Sequence, residues 1–253
     1  MNYQSSLKDY KKFLKNLGIK KLENIKIETI VESLVDWSDI MNIQQLEDWF
    51  TNQQNLCNMK IQQVPLCNLS DWNIENNEKI VHRNNSFFSI IGISISNSSS
   101  REVKDGWDQP IIMEKDNDGG IVGLIRKKIR DVPYYLIEAK AEPGNPDLVQ
   151  ISPTLQATYS NLNQSHGGRK PHFSEFFLNP KENKCEILFD QYLSEDGGRL
   201  FKKRNRGMLI EIPANTEIKF NSSFNWVTLF QIKYLIKKTS WVNPHTRSLI
   251  SHL

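Results

Sequence analysis

The chain reads as an α+β protein: a mixed or antiparallel sheet closed by helices, preceded by a helical arm. Three observations predict this. Apolar residues in the first quarter recur at helical spacing. After Pro65 they alternate, or run in short blocks rich in Ile, Val, Tyr and Phe, as strands do. Near the end, Thr228 and Gln231 form a capping box that opens an apolar helix.

The elements follow in order. Leu7, Tyr10, Phe13, Leu14 and Leu17 mark one face of a first helix, and Gly18 supplies its stop. Lys8, Lys11, Lys12 and Lys15 read as the solvated face of that helix, not as a nucleic-acid patch. A second apolar series, Ile30, Val31, Leu34, Val35 and Trp37, continues into Leu46, Trp49 and Phe50. This helical arm, residues 1–60, is expected to pack on the main module, residues 61–253, or on a second subunit. From residue 87, FFSIIGISI alternates Ser89, Ile91, Ile93 and Ile95 with Phe88, Ile90 and Gly92, so it reads as a strand. IVGLIRKK (121–128) and YYLIEAKA (134–141) flank a short turn and read as a β-hairpin. Further strands are expected at 148–152, 185–190 and 207–212, then the helix TLFQIKYLIKK. No internal repeat and no low-complexity linker interrupts the chain.

Composition removes several classes. With 253 residues, 38% hydrophobic and 24% charged, the chain suits one large or two small globular domains. A net charge of +3 is too small to imply nucleic acid. Cys57, Cys67 and Cys185 form no CxxC pair, which disfavours zinc and a disulfide framework and suits a reducing cytoplasm. MNYQSSLKDYKK has no apolar signal region, and the longest apolar run is too short to span a bilayer. Rossmann and P-loop glycine motifs, HExxH and GxSxG are all missing. His82, His166, His172, His245 and His252 do not cluster at metal spacing, so neither a metal nor a cofactor is expected.

What remains is polar and embedded in strands: AKAEPGNPDLVQISPTLQATYSN (139–161), HGGR (166–169) and DQYLSEDGGRLFKKRNRGMLIEI (190–212). Buried polar groups must be satisfied, and so many together imply use. Lys202, Lys203, Arg204 and Arg206 read equally as a phosphate clamp or as a solvated charge run.

These segments, together with REVKDGWDQPII, FNWVTLFQIKYLI and WVNPHTRSLISHL, closely resemble the NDP-hexose 2,3-dehydratases of deoxysugar biosynthesis. VPLCNLSDW and IVHRNNSFFSIIGISI extend the resemblance from about residue 60 to the C-terminus. The resemblance implies a Nudix-like fold and a dTDP-4-keto-6-deoxy sugar as substrate. Water would be lost across C2 and C3 without a redox cofactor. The 3,4-diketo-2,6-dideoxy product would pass to a separate 3-ketoreductase. Arg101-Glu102 is not followed by the paired glutamates that hold Mg²⁺ in Nudix hydrolases, so pyrophosphate hydrolysis is disfavoured. Family members carry two modules where this chain has one, so a homodimer is expected, in the cytoplasm. Glu138 stands where the family pattern has Gln, and Pro244-His245 where it has Met-Asp; the second departure is read as structural.

For this chemistry Glu142 is the first candidate base, just after a strand and before Pro-Gly, with a turn-stabilising role as its alternative. Lys140 shares its strand face and is a donor to the enolate or to the leaving hydroxyl, or else an ion-pair partner. Tyr159 and His166 are alternative acids, and Glu195, with Gln191 on the same segment, is a rival base. Arg169, Arg199, Arg204 and Arg206 are the phosphate candidates. Asn145, Gln156, Thr158 and Asn161 would orient the sugar or the thymine, and Trp107 would stack on a ring or fill the core. A nucleotide-4-ketosugar isomerase and a catalytically silent binding module are the alternatives to a lyase.

Overall fold

The computed structural model describes residues 2–19, 21–85, 87–114, 119–164 and 167–253. The arm is three helices: α1 (Tyr3–Asn16), α2 (Asn24–Leu34) and α3 (Ile43–Leu56). Helix α1 starts where the Asn2 side chain accepts the Ser5 N–H, 2.8 Å. It ends at Gly18, whose φ of 78° lets the Gly18 and Ile19 N–H groups reach back to Lys15 and Leu14. The apolar series from Ile30 to Phe50 is not one helix. Val35 turns extended, with φ −145°, and α3 opens anew on a capping box between Asn42 and Gln45.

The arm is bolted to the sheet. Leu46 and Phe50 of α3 are fully buried in the main core. Helix α2 brings Glu28 and Glu32 to Arg126, a side chain only 1% exposed in the middle of the sheet. Glu211 meets the same guanidinium, and Tyr135 donates to Glu32 at 2.7 Å. Burial raises the Glu32 carboxyl despite the neighbouring arginine.

Four antiparallel strands form a meander: β1 (Trp72–Glu75), β2 (Lys79–His82), β3 (Ser89–Ile95) and β4 (Trp107–Met113). The main sheet contains β5 (Gly120–Ile129), β6 (Val132–Ala141), β7 (Val149–Ser152), β8 (Leu155–Thr158), β9 (Glu186–Ser194), β10 (Arg204–Ile212) and β11 (Phe224–Val227). Its order is β11-β6-β5-β10-β9, with β7 on β6 and β8 on β5. The β5–β10 pair is parallel and the other pairs antiparallel, so the sheet is mixed. Helices α6 (Leu229–Ile236) and α7 (Pro244–Ile250), with α3, cover one face through Val122, Ile137, Leu209 and Ile232. Helix α5 (Ser174–Leu178) covers the other, its Phe177 ring lying where any Cβ on Gly123 would collide, at 2.2 Å. The short α4 (Tyr159–Leu162) follows β8 directly. No helix among the described residues is long and apolar enough to cross a membrane.

The feature that positions the site is a fork in this sheet. Arg130 and Asp131, with φ of 49° and 65°, make the two-residue hairpin turn between β5 and β6. The two strands pair only from that turn back to Ile125 and Leu136. Beyond this point they part: β6 takes β7 as its neighbour from Glu138 to Ala141, and β5 takes β8 from Gly120 to Gly123. Thr154, between β7 and β8, sits at the apex. Its hydroxyl accepts the Ile125 N–H at 2.9 Å and donates to the Leu136 carbonyl. One side chain thus replaces a missing rung of the ladder and keeps both backbone groups satisfied.

Candidate active site

A cleft of about 280 Å³ opens at the fork, lined by Glu138, Lys140, Gln156, Asn161, Arg169 and His172 among others. Strand alternation turns Glu138 and Lys140 to the same side. The Lys140 ammonium lies 3.1 Å from Glu142 Oε1 and donates to the main-chain carbonyl of Gln156 at 3.0 Å. The Gln156 amide donates to Glu142 Oε1 at 3.2 Å. Its carbonyl accepts from Asn243 at 2.8 Å and from Ser152 at 3.0 Å, so which end of the amide faces Glu142 is fixed. Asn243 also caps α7 by accepting the Thr246 N–H, 2.8 Å. One network therefore locks the end of β6, strands β7 and β8, and the start of α7. Burial pushes the Glu138 carboxyl up, opposed by Lys140 and reinforced by Glu142.

A second cleft of about 300 Å³ opens on the α7 side. Glu195, just past β9, lies there with His245, Asn205 and Arg199. Asn205 donates to Glu195 Oε1 at 2.5 Å, and His245 Nδ1 lies 3.5 Å from the same oxygen. Burial lowers the His245 pKa, while Glu195 and Glu142 oppose the shift and Lys203 and Lys140 add to it. The Gln156 side chain, which donates to Glu142 and accepts from Asn243, ties the end of β6 to the start of α7, two residues before His245.

The structure sorts the residues expected from sequence. Lys140, Glu142, Gln156, Asn161 and Arg169 come together at or beside the first cleft, and Glu195 and Arg199 at the second. Arg199 is held by Asp196 at 2.5 Å. Four residues are committed to local structure. Asn145 closes its turn on the Leu148 carbonyl at 2.9 Å. Thr158 caps α4 through the Asn161 N–H, 3.3 Å. Tyr159 packs against the core under α5. Trp107 heads β4 with its indole N–H on Gln109, 2.6 Å. Gln191 is exposed on β9 opposite Gly207. His166 lies outside the described residues.

The basic run is not one clamp. Arg206 makes two hydrogen bonds to Asp190, at 2.8 and 2.6 Å, and Arg204 lies over the Tyr192 ring at 5.0 Å. Lys203 pairs with Glu114, and Lys202 lies over the Phe201 ring. The reason is alternation along β10: Arg204 and Arg206 leave one face, and Asn205, which lines the second cleft, leaves the other.

The cleft residues that escaped the sequence reading include Asn205, which holds Glu195, and two histidines. His172 lines the first cleft. His245, read as structural, instead faces Glu195 in the second. The helix start Asn243-Pro244 is the signal that could have found it, since side chains of a first turn lean back toward the N-terminal end.

A mixed sheet forked around an acid, an amide and a lysine, with no grouping of three or more His, Cys, Asp or Glu placed to hold a metal among the described residues, describes the class of site. The chain belongs to the NDP-hexose 2,3-dehydratase family, whose description matches residues 43–253. It is 32% identical over 218 residues to dTDP-4-dehydro-6-deoxy-α-D-glucopyranose 2,3-dehydratase of Amycolatopsis orientalis, covering 84% of this chain and 45% of that protein. A protein of the same description from Saccharopolyspora spinosa is 33% identical over 204 residues, 80% of this chain and 40% of that one. The chain thus spans less than half the length of these relatives. Among solved structures, an Ap4A hydrolase of C. elegans overlays at a TM-score of 0.30 and 12% identity, covering 52% of this chain and 91% of that one. A Nudix hydrolase from M. smegmatis overlays at 0.33 and 11% identity, covering 58% and 87%.

Proposed function

We propose that the chain is a nucleotide-sugar 2,3-dehydratase, a hydro-lyase acting on a dTDP-linked 4-keto-6-deoxyhexose. The observation that carries this is the fork, where Lys140, Glu142 and Gln156 meet within one hydrogen-bond network that Asn243 ties to the start of α7, two residues before His245. The C4 ketone acidifies the C3 proton. A base removes it, the C2 hydroxyl leaves as water, and the resulting enol collapses to a 3-ketone. The sequence is redox-neutral, so it calls for proton transfer and oxyanion stabilisation. The fork offers two carboxylates for this, Glu142 on the sheet side and Glu195 on the helix side. The Lys140 ammonium suits either the enolate oxygen or the departing hydroxyl. Arg169, which has no ion-pair partner among the described residues, is the best-placed guanidinium for the diphosphate, with Asn161 beside it.

The vicinal diketone formed is reactive and calls for a ketoreductase downstream. Association as a homodimer belongs to the same proposal. Phe13, Leu17, Leu34 and Leu56 leave apolar surface exposed on the arm that a second copy would cover. Light scattering at twice the chain mass is the expected result.

The function is tested by incubating the protein with dTDP-4-keto-6-deoxyglucose and following the sugar nucleotide by mass spectrometry. Loss of one water is expected. A rearranged sugar of unchanged mass would mean an isomerase, and unchanged substrate with a raised melting temperature a binding module; either overturns the dehydratase.

A further inference from the structure

We propose that His245 is the base that takes the C3 proton, with Glu195 orienting its ring and Lys140 serving as the acid for the departing C2 hydroxyl. This assignment rests on the dehydratase function above.

Position comes first. The His245 side chain is 26% exposed and its Nδ1 lies 3.5 Å from Glu195, whose own side chain is 18% exposed. That carboxylate is itself held by Asn205, a buried residue. A carboxylate on Nδ1 favours the tautomer with the proton there, which leaves Nε2 as an acceptor. The 3.5 Å separation is longer than a closed hydrogen bond; such pairs tighten once substrate is bound.

Charge comes second. The groups acting on the ring are Glu195 from the loop after β9, Glu142 and Lys140 from the end of β6, and Lys203 from just before β10. Asp196 and Arg199 line the same cleft. Burial holds the ring below the ordinary histidine pKa, so it is neutral and able to accept a proton at neutral pH. Glu195 stabilises the imidazolium once the proton has moved.

Glu142 is in a different state. Its Oε1 is engaged by the Lys140 ammonium and by the Gln156 amide, so it holds the acid in place.

The proton account closes. His245 Nε2 takes the C3 proton and the electron pair enters the C4 enolate. That pair returns to form the C2–C3 double bond as the C2–O bond breaks. Lys140 protonates the departing oxygen, which leaves as water. The imidazolium then gives its proton to C2, and the O3 proton passes to the Lys140 amine. Both residues regain their starting states and no oxidant or reductant is consumed.

The test follows C3 hydrogen exchange and water loss separately, with dTDP-4-keto-6-deoxyglucose in deuterated water. His245→Gln should still bind dTDP but lose both exchange and elimination by about a hundredfold or more, the usual worth of a positioned base. In the wild type, exchange should be flat near neutral pH and fall as the pH drops through a point below the ordinary histidine value. Glu195→Gln removes a charge that raises that point, so the limb should move to lower pH; a merely structural role would leave it in place. Should His245→Gln fail to fold, the Glu195→Gln limb decides: a shift supports the assignment and an unmoved limb overturns it. Exchange near the wild-type rate in a folded, dTDP-binding His245→Gln protein also overturns it, while elimination by the wild type would leave the dehydratase function standing. A wild type that neither exchanges nor eliminates removes the function itself.

Discussion

The two sides of the fork use similar residues in opposite states. On the sheet side, Lys140 and Gln156 both engage Glu142 Oε1, and Asn243 and Ser152 fix the amide from behind. On the helix side, His245 Nδ1 lies 3.5 Å from a Glu195 carboxylate that Asn205 holds. A closed network positions charge; a half-open pair can move a proton. A residue's role therefore depends less on its type than on which of its polar atoms are already engaged.

Substitutions can sharpen or break this contrast. After His245→Gln, the largest effect is expected from Glu142→Gln, which loosens Lys140. Water loss should fall by about a hundredfold, while C3 exchange in deuterated water stays within a few-fold of wild type. If exchange falls as far as elimination, the sheet side supplies the base and the contrast fails. Next in size is Arg169→Ala. A charge-assisted contact to phosphate is worth about 1.5–3 kcal/mol, so dTDP affinity by calorimetry should weaken about ten- to a hundredfold. Arg206→Ala should change it less than about twofold, because that guanidinium is already on Asp190. Equal losses at both positions would place the diphosphate elsewhere.

Thr154→Val probes the apex. The Ile125 N–H and the Leu136 carbonyl would lose their shared hydroxyl in a buried place. Urea unfolding should show a loss of about 1–3 kcal/mol, with activity falling as the fork loosens. Thr228→Ala, away from both clefts, should cost about 1 kcal/mol and leave the kinetics unchanged. If it slowed turnover as much as Thr154→Val, the effect of the apex would be general destabilisation.

The sequence made local features legible. The β5–β6 hairpin, the Gly18 stop and the Thr228–Gln231 box all depend on neighbours within a few residues, and all are present. Strands β1, β2 and β4 were not legible. The first two are four residues each and partly exposed, and β4 carries Pro110, so none shows clean apolar alternation. The segment 139–161 stood out as functional, but the fork did not, because β7 and β8 choose different partners that only tertiary pairing decides. His245 reaches the site from almost the end of the chain on α7, and no spacing rule links it to Glu195. Nothing local marks Arg126 as a buried ion-pair centre; its partners Glu28 and Glu32 lie nearly a hundred residues earlier.

In the reading proposed above, the fork holds the nucleotide sugar. The most direct test is the structure of the protein with dTDP bound. The diphosphate is expected beside Arg169, with its sugar-side phosphate turned toward Lys140 and Glu142. A nucleotide seated instead on the smaller sheet, between His82 and Phe88, with both clefts of the fork empty, would contradict it.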